Sequence, residues 1–96
     1  MIIPDKIKIG TREISVSEVT HLLDDAECFG DYDHKNGAIR IQSGLAEDME
    51  KSVLLHEVVE GINSIYAIGL KHRQLHILAV VLHQVFTDNP GLVRPG

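Results

Sequence analysis

The sequence predicts an α+β domain, a small antiparallel sheet of two hairpins packed against two helices. Three observations predict it. Short runs of alternating apolar and polar residues occupy the first 42 positions, glycine-bearing turns punctuate them, and two long stretches of helical periodicity follow. In the first hairpin, Ile7 and Ile9 alternate with lysines, Gly10-Thr11 supplies the turn, and Ile14 and Val16 alternate again, which sets it at residues 6–17. Residues 18–25 are expected to add one short helical turn. The second hairpin joins residues 29–34 to residues 38–42 through Lys35-Asn36-Gly37, because Asn-Gly tolerates the positive φ that tight hairpin turns require. In its second strand Ile39 and Ile41 share one face and Arg40 takes the other.

The first helix is expected over residues 46–66, with Ser43 as its N-cap and Glu47, Asp48 and Glu50 near its positive end. It ends before Gly69. The second helix is expected over residues 72–88 and stops at Asn89-Pro90-Gly91, which leaves residues 91–96 as a loose tail. With 96 residues and no repeat or linker, the whole chain, residues 1–96, makes one domain.

Composition excludes several functions. Fourteen acidic residues against nine basic ones give a net charge of -5, which opposes the phosphate neutralisation that nucleic-acid binding needs. Two Tyr, two Phe and no Trp leave little for base stacking. No apolar run approaches the length of a membrane span, and the single Cys28 can form neither an internal disulfide nor a cysteine metal cluster. These features predict a cytoplasmic protein without nucleic-acid or membrane partners. The unusual feature is six histidines.

Three residues of the first helix form the sharpest pattern. His56 and Glu60 are spaced i, i+4, so both side chains point to one side of the helix and can share a divalent ion. Glu57 projects beside them, placed to take a proton from a water that the metal activates. No basic residue stands between Ser52 and Tyr66, so this polar stripe has no local cation. Asn63 and Ser64 continue the stripe. On the second helix His72, His76 and His83 fall within about 40° of one another at 100° per residue. His83 lies too far along the axis to share an ion with His76, so His76 is the expected third ligand. Two imidazoles and a carboxylate suit Zn²⁺ and keep a position open for water. Three arrangements stay open on spacing alone: this open set, a closed structural site that adds His72, and no metal at all. Among the remaining residues, Cys28 is expected to be at least half-buried, and His21 and His34 are expected to be solvated. Asp31 and Asp33 are placed on the outer face of a strand, with one of them in reach of the site. Tyr66, His72 and His83 are candidate oxyanion donors. The strand of residues 38–42 is a candidate edge for an extended peptide, with an ordinary sheet strand as the preferred reading.

Residues 30–33, residues 39–42, the run LLHEVVE (residues 54–60) and the run LHQVFTDNP (residues 82–90) resemble the small, phage- and mobile-element-associated branch of the ImmA/IrrE-type zinc metallopeptidases. Members of that branch typically read L-L-H-E-x-x-H and later end a helix in L-Y-Q-x-L-x-D-N. The resemblance covers roughly residues 7–90 and implies a minimal gluzincin-like fold that hydrolyses peptide bonds with metal-activated water. By position, His56 matches the first zinc ligand and Glu57 the general base. Glu60 stands where the family has its second histidine, and His76 where it has its downstream glutamate. HExxE plus His thus replaces HExxH plus Glu, exchanging two ligand types and preserving the totals. Two functions remain in view: a zinc-dependent peptidase acting on a peptide or protein, and a catalytically inactive binding or regulatory module of phage or mobile-element origin, with or without metal.

Overall fold

A computed structural model of the protein describes residues 3–23 and 28–93. Four strands come first: β1 (Lys6–Ile9), β2 (Arg12–Val19), β3 (Gly30–Asp33) and β4 (Ala38–Gln42). Two helices follow, α1 (Glu47–Ile65) and α2 (His72–Asp88), and a single 3-10 turn, Pro90–Leu92, closes the described chain. The architecture is the α+β arrangement read from the sequence, and both long helices lie within one residue of their expected ends.

The sheet departs from two simple hairpins. Its order is β1-β2-β4-β3; β1–β2 and β3–β4 are antiparallel, but β2 and β4 run parallel, pairing Val16 with Ile39 and Glu18 with Ile41. The connection after β2 carries the chain past the position of β4 to the outer edge, so the second hairpin docks through its return strand. Leu22, 2% exposed, anchors that connection. Its ends are tied by the Leu23 N–H donating to Gln42 Oε1 (2.8 Å) and the Ser43 N–H donating to Val19 O (2.8 Å). The expected helical turn at residues 18–25 is displaced as a result: Glu18 and Val19 belong to β2, Leu22 and Leu23 are helical, and residues 24–25 lie outside the described residues.

Both turns fall where expected, although in the second only Gly37, and not Asn36, takes positive φ. Gly10 and Gly37 take φ of +62° and +61°, and Asn36 locks the second turn by donating from Nδ2 to Asp33 Oδ2 (2.6 Å). That bond holds the Asp33 carboxyl below the usual carboxylate range. Ser43 is not the N-cap of α1, since Ala46 occupies that position with no side-chain cap. The acidic first turn, Glu47, Asp48 and Glu50, therefore faces the helix's exposed N–H groups without a cap. Tail residues 91 and 92 belong to the 3-10 turn, and residues 94–96 lie outside the described residues.

Alternation delivers the core. Ile9, Ile14, Val16, Ile39 and Ile41 point to one face of the sheet and meet Leu54 of α1. On its other side α1 packs against α2 through Val59, Leu75 and Ala79, with Leu55, Leu70 and Leu82 around them. α1 is thus the middle layer, which accounts for its apolar character on more than one side. Asn63 belongs to this scaffold: its amide accepts from the Leu70 N–H (2.8 Å) and donates to Leu70 O (3.2 Å), fixing the loop between the helices. Among the described residues no helix is long and apolar enough to cross a membrane.

Candidate metal centre

The middle position of α1 brings the three sequence-predicted residues together. One donor atom each from His56, Glu57 and Glu60 lie within 4.8 Å of one another. His56 and Glu60 are half-buried and Glu57 is buried, at 4% exposure. β3 crosses directly above: a Cβ added at Gly30 would stand 2.6 Å from Val53 Cγ1 and 3.3 Å from Glu57 Cγ. Glycine is what lets the strand come this close. The same contact shuts water away from Glu57, whose Oε1 is buried without a hydrogen-bond partner among the described residues.

Electrostatics follow from that geometry. Burial pushes the Glu57 carboxyl up to about 8, helped by its hydrogen bond to Glu60, by the charge of Glu60 and by the charge of Asp31. Asp31 is itself held by Arg40, whose Nε donates to Asp31 Oδ1 at 3.0 Å and whose Nη2 donates to Asp31 Oδ2. Asp31 therefore reaches the site through its field. Burial lowers the pKa of His56; Glu60 opposes that shift, and His76 and His72 add to it. His56 is consequently neutral at pH 7, with a ring lone pair free to bind a cation.

α2 presents its histidines across the cleft. The His76 ring centroid is 5.8 Å from that of His56, and the His72 centroid is 6.3 Å away, both edge-on and both on exposed residues. The tight donor set lies wholly on α1, and His76 stands just outside it. His83 sits farther along α2, where Nε2 meets Asp48 Oδ1 at 3.1 Å. Tyr66 lies over Gly10 at the turn between β1 and β2. Of the three candidate oxyanion donors, only His72 stands beside the cluster.

A His/Glu/Glu set with an unpartnered buried carboxyl oxygen and a neutral imidazole fits a divalent cation, so this cluster could hold a metal ion. Beside it opens a cavity of about 330 Å³ walled by Phe29, Val53, Ala79, His56, Glu57 and His76. Cys28, half-buried and free as expected, also lines it.

The strand of residues 38–42, β4, has neighbours on both sides, in line with the preferred reading of an ordinary sheet strand, and the sheet edge over the cleft is β3. His34 is exposed, yet its Nδ1 is contacted by three side chains, so it is not simply solvated. The signal was present in the sequence: Tyr32 and His34 alternate on one strand face, and Ser64 follows Glu60 by one helical turn. His21 is exposed.

The fold and cluster define an α+β domain with a candidate metal centre on its middle helix. Compared with known proteins, the chain matches no family model, no curated protein and no solved structure.

Proposed function

We propose that this chain is a zinc-dependent metallopeptidase-like protein in which His56, Glu60 and His76 hold the ion and Glu57 is the general base. The observation that carries it is the buried, unpartnered Oε1 of Glu57 set beside the neutral imidazole of His56. A buried carboxyl with an orphaned oxygen costs stability unless it has work to do. Zinc, when bound at such a set, lowers the pKa of a coordinated water towards neutrality and polarises a peptide carbonyl.

The chain's own residues do the rest. Glu57 takes a proton from the attacking water and passes it to the leaving amine, a role that requires the nearby cation to draw its raised pKa back below neutral so that the carboxylate is present. β3, with its free edge, can align an extended peptide, and the cavity at Phe29 and Val53 accepts an apolar side chain. His72 stands in reach of the developing oxyanion. A reducing, cytoplasmic setting suits the free thiol of Cys28.

The test compares wild type with Glu57→Gln for zinc content and for cleavage of a fluorogenic peptide library. Equal zinc with cleavage lost supports the peptidase; cleavage unchanged by the substitution refutes it. An inactive binding module on the same fold is favoured by one observation, the position of His76 outside the tight donor set. That alternative predicts zinc or no zinc, and no cleavage by wild type at any pH.

A further inference from the structure

Four polar side chains from four elements meet one helical turn beyond the candidate metal centre. Arg12 comes from β2, Tyr32 from β3, His34 from the turn after it and Ser64 from α1. Ser64 Oγ lies 2.9 Å from His34 Nδ1, Tyr32 Oη lies 3.2 Å from it, and Arg12 Nη1 lies 3.2 Å from it. Arg12 also donates through Nη2 to the backbone carbonyl of His34.

A neutral imidazole offers one lone pair at one ring nitrogen. The Ser64 and Tyr32 hydroxyls can each donate to Nδ1 or accept from it, so they balance themselves. Arg12 can only donate: of its five N–H groups two meet His34, at Nδ1 and at its carbonyl, and the other three have no acceptor among the described residues. The cluster is short of acceptors on the side of Arg12. That guanidinium pairs with no carboxylate among the described residues, in a chain with fourteen acidic residues and nine basic ones.

Its place in the fold ties it to the cleft. Tyr32 packs on α1 at Gly61, where an added Cβ would meet Tyr32 Cε1 at 3.2 Å. Ser64 follows Glu60 by four residues, about 6 Å along the helix axis. An extended peptide advances about 3.3 Å per residue, so a group bound here sits roughly two residues from one held at the metal cluster.

We infer that Arg12, Tyr32, His34 and Ser64 form a carboxylate-accepting subsite of the same cleft. Its place as a subsite rests on the peptidase reading above; the acceptor deficit does not. A planar carboxylate takes two donors from the Arg12 guanidinium and leaves its remaining lone pairs for Tyr32 and Ser64. The carboxylate has two sources, the free C-terminus of a peptide or the side chain of Asp or Glu two residues from the reacting bond.

The test uses three acetylated tripeptides: Leu-Ala-Ala with a free C-terminal carboxylate, the same sequence as its C-terminal amide, and Leu-Ala-Glu as its C-terminal amide. Binding is titrated by proton–nitrogen NMR on wild type, Arg12→Gln and Ser64→Ala, with and without added zinc. The free acid, the Glu amide or both should bind at least about tenfold more tightly than the plain amide. The chemical-shift changes should centre on His34 and Ser64, and Arg12→Gln should abolish the preference while its spectrum stays folded. Preference for the free acid alone assigns the C-terminus as ligand, and preference for the Glu amide assigns an acidic side chain. Equal affinity for all three peptides, a preference that survives Arg12→Gln, or no binding of any of them overturns the inference. Because the comparison runs without zinc as well as with it, failure to bind zinc would refute the metallopeptidase and leave an acid preference standing.

Discussion

α1 is gripped from two sides and α2 from one. α1 buries Leu54 and Glu57 towards the sheet and Val59 towards α2. α2 buries only Leu75 and Ala79, and leaves Ile77, Val80 and Val81 about half exposed. The candidate centre is divided along that line. His56, Glu57 and Glu60 belong to the helix held on both faces, so their mutual geometry is set by the core. His72 and His76 belong to the helix held on one face, so their distance from His56 is set by the packing of Leu75 and Ala79 on Val59. The donor set thus sits on one helix, and His76, the proposed third ligand, on the other, with its ring centroid 5.8 Å from that of His56.

The largest effect that sharpens this contrast lies in the sheet. Ile39 and Ile41 are fully buried under α1, and Ile41→Ala should cost about 2–5 kcal/mol in urea unfolding. Val81→Ala on the outer face of α2 should change stability by less than about 0.5 kcal/mol. Comparable losses for the two would break the contrast.

Gly30→Ala comes next. The new methyl must displace Val53 and press on Glu57, so a loss of about 1–3 kcal/mol is expected, with weakened metal binding. Wild-type stability in that variant would show that β3 does not clamp Glu57.

A smaller effect is the pH dependence of the metal-free protein. The folded chain keeps the Glu57 proton to about 8, whereas the unfolded chain releases it near 4.5. Between those values the native state binds more protons, so stability from this group is full below pH 4.5 and is lost as pH rises towards 8. His56, with its lowered pKa, works the other way near pH 6.5, where stability should rise with pH. The difference between Glu57→Gln and wild type cancels the His56 contribution. It should favour the variant more at pH 8 than at pH 5 in chemical denaturation, and a flat difference would show that Glu57 is not held neutral.

The smallest effect is kinetic. Amide hydrogens in the middle of α2 should exchange faster than those around Val59 in α1, and Leu75→Ala should widen the gap. Uniform protection across both helices would mean that α2 is docked as firmly as α1.

Much of this was legible in the sequence, for physical reasons that can be named. Asn36-Gly37 and Gly10 fixed two turns because their φ requirements are local. The apolar rows of α1 and α2 placed both helices to within a residue, because periodicity is a local property. The i, i+1, i+4 spacing of Glu57 and Glu60 after His56 brought the cluster together for the same reason. Strand direction was not legible, since alternation in β2 and β4 is the same for parallel and antiparallel neighbours. The burial of Glu57 depends on Gly30 passing above it, a contact between residues 27 positions apart that no local pattern encodes. The cluster at His34 likewise needs Arg12 and Ser64, which lie 52 positions apart in the chain.

The central claim is a divalent-metal centre founded on α1 and completed by His76. Its most direct measurement is the zinc content of untagged protein by elemental analysis, in wild type, His56→Ala and His76→Ala. The account predicts about one zinc per chain in wild type, none in His56→Ala, and a weakened, readily chelated zinc in His76→Ala. A wild-type protein that takes up no zinc after equilibration with the ion, or one whose zinc is indifferent to His56→Ala, would contradict it.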